Sequence, residues 1–231
     1  MSQVALIVIA KQPRPGFSKT RLCPPATPSQ AADLAEAALA DTLAAVASVP
    51  RRRRVLVLDG ARGPWLPPGF EVIAQSEGGL EQRLAAAFEA VGGPALLVGM
   101  DTPQLSRDLL TGSAAALTEG GADAVIGPAR DGGYWAIGLH DPDPRVFERI
   151  PMSSSRTCEA QLERLGDLGL RVKALESLED VDTIASARAV AALCPRSRFA
   201  AALSNAGLDA VDDRPPRPDR TSMGAEQWAS A

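Results

Sequence analysis

The stretch from Val4 to Ala10 reads VALIVIA, an uninterrupted apolar run that is rich in β-branched residues. Such a run is typical of a strand that is covered on both faces, as in a parallel β-sheet. A sheet covered on both faces needs helices above and below it. The stretch therefore predicts the first strand of an α/β domain.

Strands and helices alternate along the rest of the chain, which predicts a three-layer α/β/α domain with a mixed, mostly parallel sheet. Thr27 and Pro28 predict the start of the first helix, which runs to about Ala47, because a threonine cap followed by proline is a common helix start. The strand 134–139 is predicted to be antiparallel, since only a short loop separates it from the preceding strand. The other predicted strands are Val55–Asp59, Glu71–Gln75, Ala95–Gly99, Ala122–Gly127 and Val172–Leu175. The other predicted helices are Leu80–Val91, Ser106 to about Glu119, Thr157–Leu168 and Thr183–Leu193.

The sequence predicts one domain over residues 1–207 and a disordered tail over residues 208–231, which are rich in proline, arginine and aspartate without periodicity. Because the first strand begins close to Met1, no signal peptide is expected. No apolar run approaches the roughly 20 residues that span a bilayer. We therefore expect a cytoplasmic protein without membrane contact.

Charge and cysteine content narrow the classes of partner. The 24 Lys and Arg residues against 28 Asp and Glu residues give a net charge of −4, which argues against nucleic acid as a partner. Cys23, Cys158 and Cys194 have no metal-ligand spacing and predict unpaired thiols in a reducing compartment. The sequence leaves open whether the chain forms a homo-oligomer.

The segment after the first strand carries four cations, on Lys11, Arg14, Lys19 and Arg21. In open α/β sheets ligands bind at the carboxyl ends of the strands, and backbone N–H groups and cations of such a loop can hold phosphates. The spacing of a P-loop or a dinucleotide motif is missing, and a surface loop that is basic by accident is the alternative. The residues predicted to bind a nucleotide are Ala10, Lys11, Pro15, Gly16, Lys19, Thr20 and Arg21, of which Lys19 and Arg21 are also candidate catalytic residues.

A second polar segment, Met100-Asp101-Thr102-Pro103, follows the predicted strand that begins at Ala95. A carboxylate at the end of an apolar strand can hold Mg²⁺ or Mn²⁺ that bridges the phosphates of a nucleotide. Asp101 is therefore a candidate metal ligand and catalytic residue. The alternative is that Asp101 only organises the turn into Pro103.

A third segment, Asp131-Gly132-Gly133-Tyr134, predicts a hairpin whose backbone lines an acceptor pocket, because paired glycines permit close contact with a ligand. The stretch 153–157 precedes a helix and is either a second anion site or simple capping. Asp131 is a candidate catalytic residue, as the acceptor base, from its position alone. The residues predicted to bind a small-molecule acceptor are Asp131, Gly132, Gly133, Tyr134, Ser154 and Arg156.

The last segment is Asp180-Val181-Asp182-Thr183, ahead of a predicted helix. Asp182 has the residue type of a helix N-cap, and a second metal ligand is the other interpretation. Residue type alone favours the cap.

These segments, in this order, resemble a family of bacterial glycosyltransferase-like proteins in the nucleotide-diphospho-sugar transferase (GT-A) superfamily. The resemblance covers roughly Val4 to Ala202, and the Lys19–Leu22 stretch (KTRL) also resembles the phosphate loop of 2-phospholactate guanylyltransferases. The motifs that carry it are AKQPRPGFSKTRL (10–22), GMDTPQL (99–105), GPARDGGYWAIGL (127–139), PMSSSRT (151–157) and DVDT (180–183).

The resemblance implies a GT-A fold, a nucleotide or nucleotide-sugar substrate, and a catalytic Mg²⁺ or Mn²⁺ bound by Asp101. It also implies that Asp182 lies near the metal, which makes ligand and cap about equal interpretations. One departure concerns the Asp-x-Asp pattern of many GT-A glycosyltransferases, since this chain has Asp101-Thr102-Pro103 with a single carboxylate. A single carboxylate is closer to the pattern of nucleotidylyltransferases.

Two transfer chemistries follow from this resemblance. We expect glycosyl transfer from a nucleotide sugar to a small-molecule acceptor. The alternative is nucleotidylyl transfer, in which Lys19 and Arg21 stabilise charge on the α-phosphate and pyrophosphate. A third interpretation is a nucleotide-binding protein without catalytic activity.

Overall fold

A computed structural model describes residues 3–119 and 121–210 of the chain, and the predicted tail from Val211 onward lies outside the described residues. The strands are β1 (Ala5–Lys11), β2 (Arg54–Asp59), β3 (Glu71–Ala74), β4 (Ala95–Val98), β5 (Ala124–Pro128), β6 (Tyr134–Leu139) and β7 (Val172–Ala174). The helices are α1 (Pro28–Ser48), α2 (Leu80–Val91), α3 (Arg107–Thr118), α4 (Thr157–Asp167), α5 (Ile184–Leu193) and α6 (Arg198–Asn205). Short 3₁₀ turns cover Thr20–Leu22 and Pro144–Phe147.

The seven strands form one sheet in the order β3-β2-β1-β4-β6-β5-β7. β1 pairs in parallel with β2 and β4, and β5 pairs in parallel with β7. β6 runs antiparallel to both of its neighbours, β4 and β5. The predicted mixed, mostly parallel sheet and the antiparallel direction of β6 are therefore confirmed.

Helices cover both faces of the sheet, which gives the predicted three layers. On one face Leu39 and Leu43 of α1 and Leu110 of α3 pack against the strands. On the other face Phe88 of α2 stacks on Phe147, with ring centroids 5.7 Å apart. Among the described residues, no helix has both the length and the apolar character needed to cross a bilayer.

A third apolar cluster lies along the first half of α1, where α6 packs against α1 and α5 packs against α6. The helix α6 was not predicted from the sequence, because its eight residues are too few to show a clear helical periodicity. Ser197 caps α6 by accepting a hydrogen bond from the backbone N–H of Ala200, and Phe199 is completely buried. The cluster also contains Leu208, so the packed chain extends one residue beyond the predicted domain end at residue 207.

Because five of the strands run parallel to β1, their carboxyl ends and the loops that follow meet at one edge of the sheet. The basic loop follows β1, and the loop with Asp101 follows the adjacent β4. The β5–β6 hairpin follows the carboxyl end of β5 and therefore lies at the same edge. The segment after β7 also reaches this edge, where Val181 donates its backbone N–H to the carbonyl of Asp101 (3.1 Å). The fold therefore brings the predicted site segments together.

The burial of Phe199 makes α6 a test of how much a helix missed by sequence analysis contributes to stability. We expect Phe199→Ala to lower the free energy of unfolding by about 3–5 kcal/mol, because it removes a fully buried aromatic side chain and leaves a cavity. Urea denaturation measures this change. The control is Leu193→Ala, whose side chain is 68% exposed and should change stability by about 0.5 kcal/mol or less. A cost below about 1 kcal/mol for Phe199→Ala would show that α6 contributes little to the fold.

Candidate active site

The basic loop leaves β1 at Lys11 and ends in the 3₁₀ turn Thr20–Leu22. Its tip is closed by local hydrogen bonds, in which the backbone N–H of Arg14 donates to Ser18 Oγ (2.9 Å) and that of Ser18 donates to the Arg14 carbonyl (3.0 Å). Lys19 adopts the left-handed backbone conformation, with φ of 49°, which is uncommon for a residue other than glycine. Leu22 is completely buried and anchors the end of the loop in the third apolar cluster.

Two ion pairs connect this loop to the segments after β4 and β7. Lys19 Nζ lies 2.9 Å from Asp101 Oδ2 and also donates to the carbonyl of Val181. Arg21 Nη1 lies 2.5 Å from Asp182 Oδ2. The Lys19 side chain is only 10% exposed, whereas that of Arg21 is 71% exposed. Lys19 is therefore largely enclosed, and Arg21 is the cation of these two ion pairs that a ligand can reach.

A cavity of about 640 Å³ opens between these loops. One wall is apolar and contains side chains of α2 and the sheet, among them Ile9, Leu84 and Trp135. The other wall carries a concentration of charge. Its charged side chains are Arg21, Asp101, Asp131, Asp180 and Asp182.

A second cavity of about 260 Å³ runs along the basic loop and shares Arg21, Asp101 and Asp182 with the first. Its cationic lining makes it suited to phosphate groups, since charged N–H donors bind phosphate oxygens strongly. The cations that line it are Lys11, Arg14, Lys19 and Arg21.

The other predicted nucleotide-binding residues take different positions. Thr20 lines the smaller cavity, while Pro15 and Gly16 lie exposed at the loop tip and line neither cavity. Gly16 has φ of 77°, and a side chain there would meet open space. Ala10 is buried, and its carbonyl accepts a hydrogen bond from Gln75 Nε2 (2.7 Å). A direct nucleotide contact at Ala10 has no support in this arrangement.

The β5–β6 segment forms a hairpin and also lines the larger cavity. Asp131 Oδ1 accepts a hydrogen bond from the backbone N–H of Gly133 (2.8 Å), which is ordinary hairpin chemistry, and both residues also line the larger cavity. Gly132 packs so closely on the segment before α4 that an added Cβ would lie 2.0 Å from the Ser155 carbonyl oxygen. The glycine at position 132 is therefore required by close backbone packing as well as by its φ of 91°.

The three remaining acceptor-binding candidates are placed differently from one another. Ser154 lines the larger cavity, and its Oγ accepts a hydrogen bond from the backbone N–H of Arg156 (3.2 Å). Arg156 lines neither cavity, because its guanidinium pairs with Glu159 (3.1 Å) on α4. Tyr134 lines the cavity but directs its hydroxyl to Gln161 Oε1 (3.3 Å), and burial raises the pKa of that hydroxyl.

The interpretation of Asp182 as a helix cap is wrong. Thr183 caps α5, where its side chain accepts a hydrogen bond from the backbone N–H of Ser186 (3.2 Å) in a capping box. The Asp182 carboxylate is instead the partner of Arg21. Its candidacy as a metal ligand is not tested by this geometry.

Asp180 is the first residue of the DVDT segment and is not among the site residues predicted from the sequence. In the structure it lines the larger cavity, and its Oδ1 is buried without a hydrogen-bond partner. Burial, followed by the nearby negative charges of Asp101 and Asp131, raises the pKa of Asp180 to about 7. Only tertiary packing creates this environment, so the sequence held no signal for it beyond the motif itself.

The residues present fit a divalent cation in one respect. Asp101 Oδ1, like Asp180 Oδ1, is buried without a hydrogen-bond partner, and both residues face the same cavity. No group of three or more His, Cys, Asp or Glu side chains within residues 3–119 and 121–210 is arranged to hold a metal ion. Mg²⁺ nevertheless commonly uses one or two carboxylates together with water and substrate phosphates, which matches this arrangement.

The family model described as "Uncharacterized protein conserved in bacteria (DUF2064)" matches residues 32–154, which is more than half of the chain. The chain belongs to this family. No curated protein matches the sequence of this DUF2064 protein.

Among solved structures, a protein of Desulfovibrio desulfuricans G20 named as a candidate nucleotide-diphospho-sugar transferase is 26% identical to this DUF2064 protein, with a TM-score of 0.81. The match covers 90% of this chain and 97% of that chain. This similarity and the three layers establish the predicted nucleotide-diphospho-sugar transferase fold.

Two more distant structures have TM-scores of 0.51 and 0.52. One is a CMP:2-keto-3-deoxy-manno-octonic acid synthetase in complex with CTP, which is 13% identical over 84% of this chain and 99% of that chain. The other is 4-diphosphocytidyl-2C-methyl-D-erythritol synthase of Anaerococcus prevotii DSM 20548, 14% identical over 84% of this chain and 97% of that chain. At these identities the likeness shows the fold alone. The narrower resemblance to 2-phospholactate guanylyltransferases stays a prediction.

The raised pKa of Asp180 predicts a pH-dependent penalty in the metal-free protein. A carboxyl whose pKa is higher in the folded state holds its proton between its unfolded pKa, near 4, and about 7, so the folded state loses stability as pH rises through this window. We expect Asp180→Asn to raise the free energy of unfolding at pH 8 by on the order of 1 kcal/mol or more, and the gain to vanish near pH 4.

Thermal and urea unfolding in the presence of a chelator, at several pH values, measure this difference. Asp33→Asn is the control, because it removes an exposed carboxylate on α1 and should change stability by less than about 0.5 kcal/mol. A stability difference between Asp180→Asn and the wild type that does not change between pH 4 and 8 would contradict the raised pKa.

Proposed function

We propose that this protein is a transferase that uses an activated nucleotide and a divalent metal ion. The observation that carries the proposal is the meeting of a cationic loop and a group of carboxylates across two connected cavities at the carboxyl edge of the sheet. Cations and a bound metal are the groups that stabilise a departing or attacking phosphate. The names of the structural neighbours, which are nucleotide-using transferases, support this assignment.

In this proposal the smaller cavity receives the phosphates of the nucleotide. Lys11, Arg14 and Arg21 line it and can donate charged hydrogen bonds to phosphate oxygens. Asp101 would hold Mg²⁺ or Mn²⁺, with Asp182 as the second ligand implied by the family resemblance. When bound, such an ion neutralises charge on the phosphates.

We favour glycosyl transfer from a nucleotide sugar to a small-molecule acceptor. The larger cavity, with about 640 Å³, has room for a sugar and an acceptor beside the phosphate site, and its mixed apolar and acidic lining suits a polyhydroxylated ligand. Asp131 lines this cavity and is the candidate base for the acceptor hydroxyl. Its Oδ1 accepts the hydrogen bond from Gly133, and its Oδ2 takes no part in that bond. The protein then contributes mainly alignment and electrostatic stabilisation.

Nucleotidylyl transfer is the second candidate, and the arrangement around Arg21 favours it. Arg21 lines both cavities, so one guanidinium can contact an α-phosphate while its neighbours contact pyrophosphate. The single carboxylate of the Asp101 segment also agrees with this chemistry. The two distant structural neighbours, a synthetase and a synthase, are named for products that contain CMP or a diphosphocytidyl group.

A thermal-shift panel of nucleoside triphosphates and nucleotide sugars, with and without Mn²⁺, distinguishes the candidates. A ligand at 100 times its Kd stabilises a protein by about 2.7 kcal/mol. We expect Mn²⁺-dependent stabilisation by a nucleotide sugar in the wild type and its loss in Asp101→Asn. Asp108→Asn is the matched control, because this exposed residue lies in α3, close in sequence but outside both cavities.

Each other outcome has a definite meaning. Stabilisation by triphosphates alone, with pyrophosphate as the product on addition of a phosphorylated substrate, would replace glycosyl transfer by nucleotidylyl transfer. Binding without turnover of any donor would favour the inactive nucleotide-binding protein. Absence of any shift across the panel would contradict a nucleotide site at this edge of the sheet.

A further inference from the structure

The four aspartates of the larger cavity differ in the partners that their oxygens already have. Asp182 Oδ2 forms an ion pair with Arg21 (2.5 Å), and Asp131 Oδ1 accepts a hydrogen bond from the backbone N–H of Gly133 (2.8 Å). Asp101 uses one oxygen, Oδ2, in an ion pair with Lys19 (2.9 Å). The carboxylates are thus unequal as candidate ligands, although all four line one cavity.

Two oxygens are left buried without any hydrogen-bond partner, namely Asp101 Oδ1 and Asp180 Oδ1. A buried acceptor without a partner carries an uncompensated loss of hydration. Such atoms in a native protein are commonly explained by an ion or a water molecule that completes their bonding. Here both belong to carboxylates, which are the oxygen ligands that Mg²⁺ and Mn²⁺ prefer.

The backbone holds these two residues side by side. Val181, directly after Asp180, donates its N–H to the carbonyl of Asp101 (3.1 Å), and its own carbonyl accepts a hydrogen bond from Lys19 Nζ. Lys19 therefore contacts both Asp101 and the residue next to Asp180. The pair is fixed by three interactions that do not depend on a ligand, which is the preorganisation that a metal site needs.

We propose that Asp180, together with Asp101, supplies the protein's carboxylate ligands to the divalent cation, and that Asp182 is a positioning residue for Arg21. The inference rests on the proposed function and revises its metal site. Asp101 and Asp182 each have one oxygen paired with a cation, but Asp101 also has an oxygen that is buried without a partner, whereas neither oxygen of Asp182 is in that state. Water and substrate phosphates would complete the coordination.

Titration of the full chain with Mn²⁺ alone, followed by electron paramagnetic resonance of the free ion, tests the assignment without relying on activity. Because loss of even an indirect supporting group costs roughly 10–100-fold in metal affinity, we expect Asp180→Asn and Asp101→Asn each to weaken Mn²⁺ binding at least tenfold. Asp182→Asn should weaken it less than about threefold, like Asp131→Asn, which removes a charge from the same cavity and serves as the control. Circular dichroism shows that each variant is folded.

A change in metal specificity provides a second test. A residue with a purely structural role would not change which metal ion the protein binds. Thiolate ligands favour soft ions over Mn²⁺, so Asp180→Cys should lose Mn²⁺ binding and gain a Cd²⁺ site that Asp182→Cys does not create. The wild type, which already contains Cys23, Cys158 and Cys194, provides the Cd²⁺ baseline.

The outcomes separate this inference from the proposed function. If Asp182→Asn abolishes Mn²⁺ binding while Asp180→Asn retains it, the inference is overturned and the metal-dependent transferase stands. If the wild type binds no Mn²⁺ at millimolar concentration, both the inference and the metal part of the proposed function fail. Equal losses in Asp180→Asn and Asp182→Asn would also overturn the assignment, since both carboxylates would then be ligands.

Discussion

The ion pair between Lys19 and Asp101 is the interaction on which the candidate site depends. It joins the loop after β1 to the loop after β4, and the same ammonium group also holds the carbonyl of Val181. Because the Lys19 side chain is only 10% exposed, removing the Asp101 carboxylate would leave a largely buried ammonium group without its charged partner, which is destabilising. Lys19 thus connects three loops, while the exposed cations of the basic loop, Lys11, Arg14 and Arg21, remain accessible to a ligand.

The sheet makes this junction possible because β1 lies between β2 and β4. Parallel pairing places the carboxyl ends of β1 and β4 next to each other, so that their loops need no long excursions to meet. The reversed strand β6, next to β4, brings Asp131 and Gly133 to the same edge from the opposite direction. A cationic side and an acidic side therefore face each other across a cavity that helix and strand residues complete with an apolar wall.

Much of the fold could be predicted because local patterns and packing agree. The apolar run of β1 and the capping box of Thr27 with Gln30 each specify an element independently of the remaining chain. The features that could not be predicted depend on tertiary contacts. The sequence offers two adjacent residues of N-cap type, Asp182 and Thr183, and the pairing of Asp182 with Arg21, which decides between them, exists only in the folded state. In the same way the burial of Lys19 and Asp180 depends on distant loops.

In the proposed function, a metal ion and nucleotide phosphates bind at the edge of the sheet where the basic loop meets the aspartates. The most direct measurement is a crystal structure of the protein grown with Mn²⁺ and a nucleoside diphosphate, with anomalous scattering recorded for manganese. We expect an anomalous peak within about 2.5 Å of carboxylate oxygens of Asp101 and Asp180, with phosphate density beside Arg21. Phosphates bound elsewhere on the protein, or manganese bound away from Asp101, would contradict it.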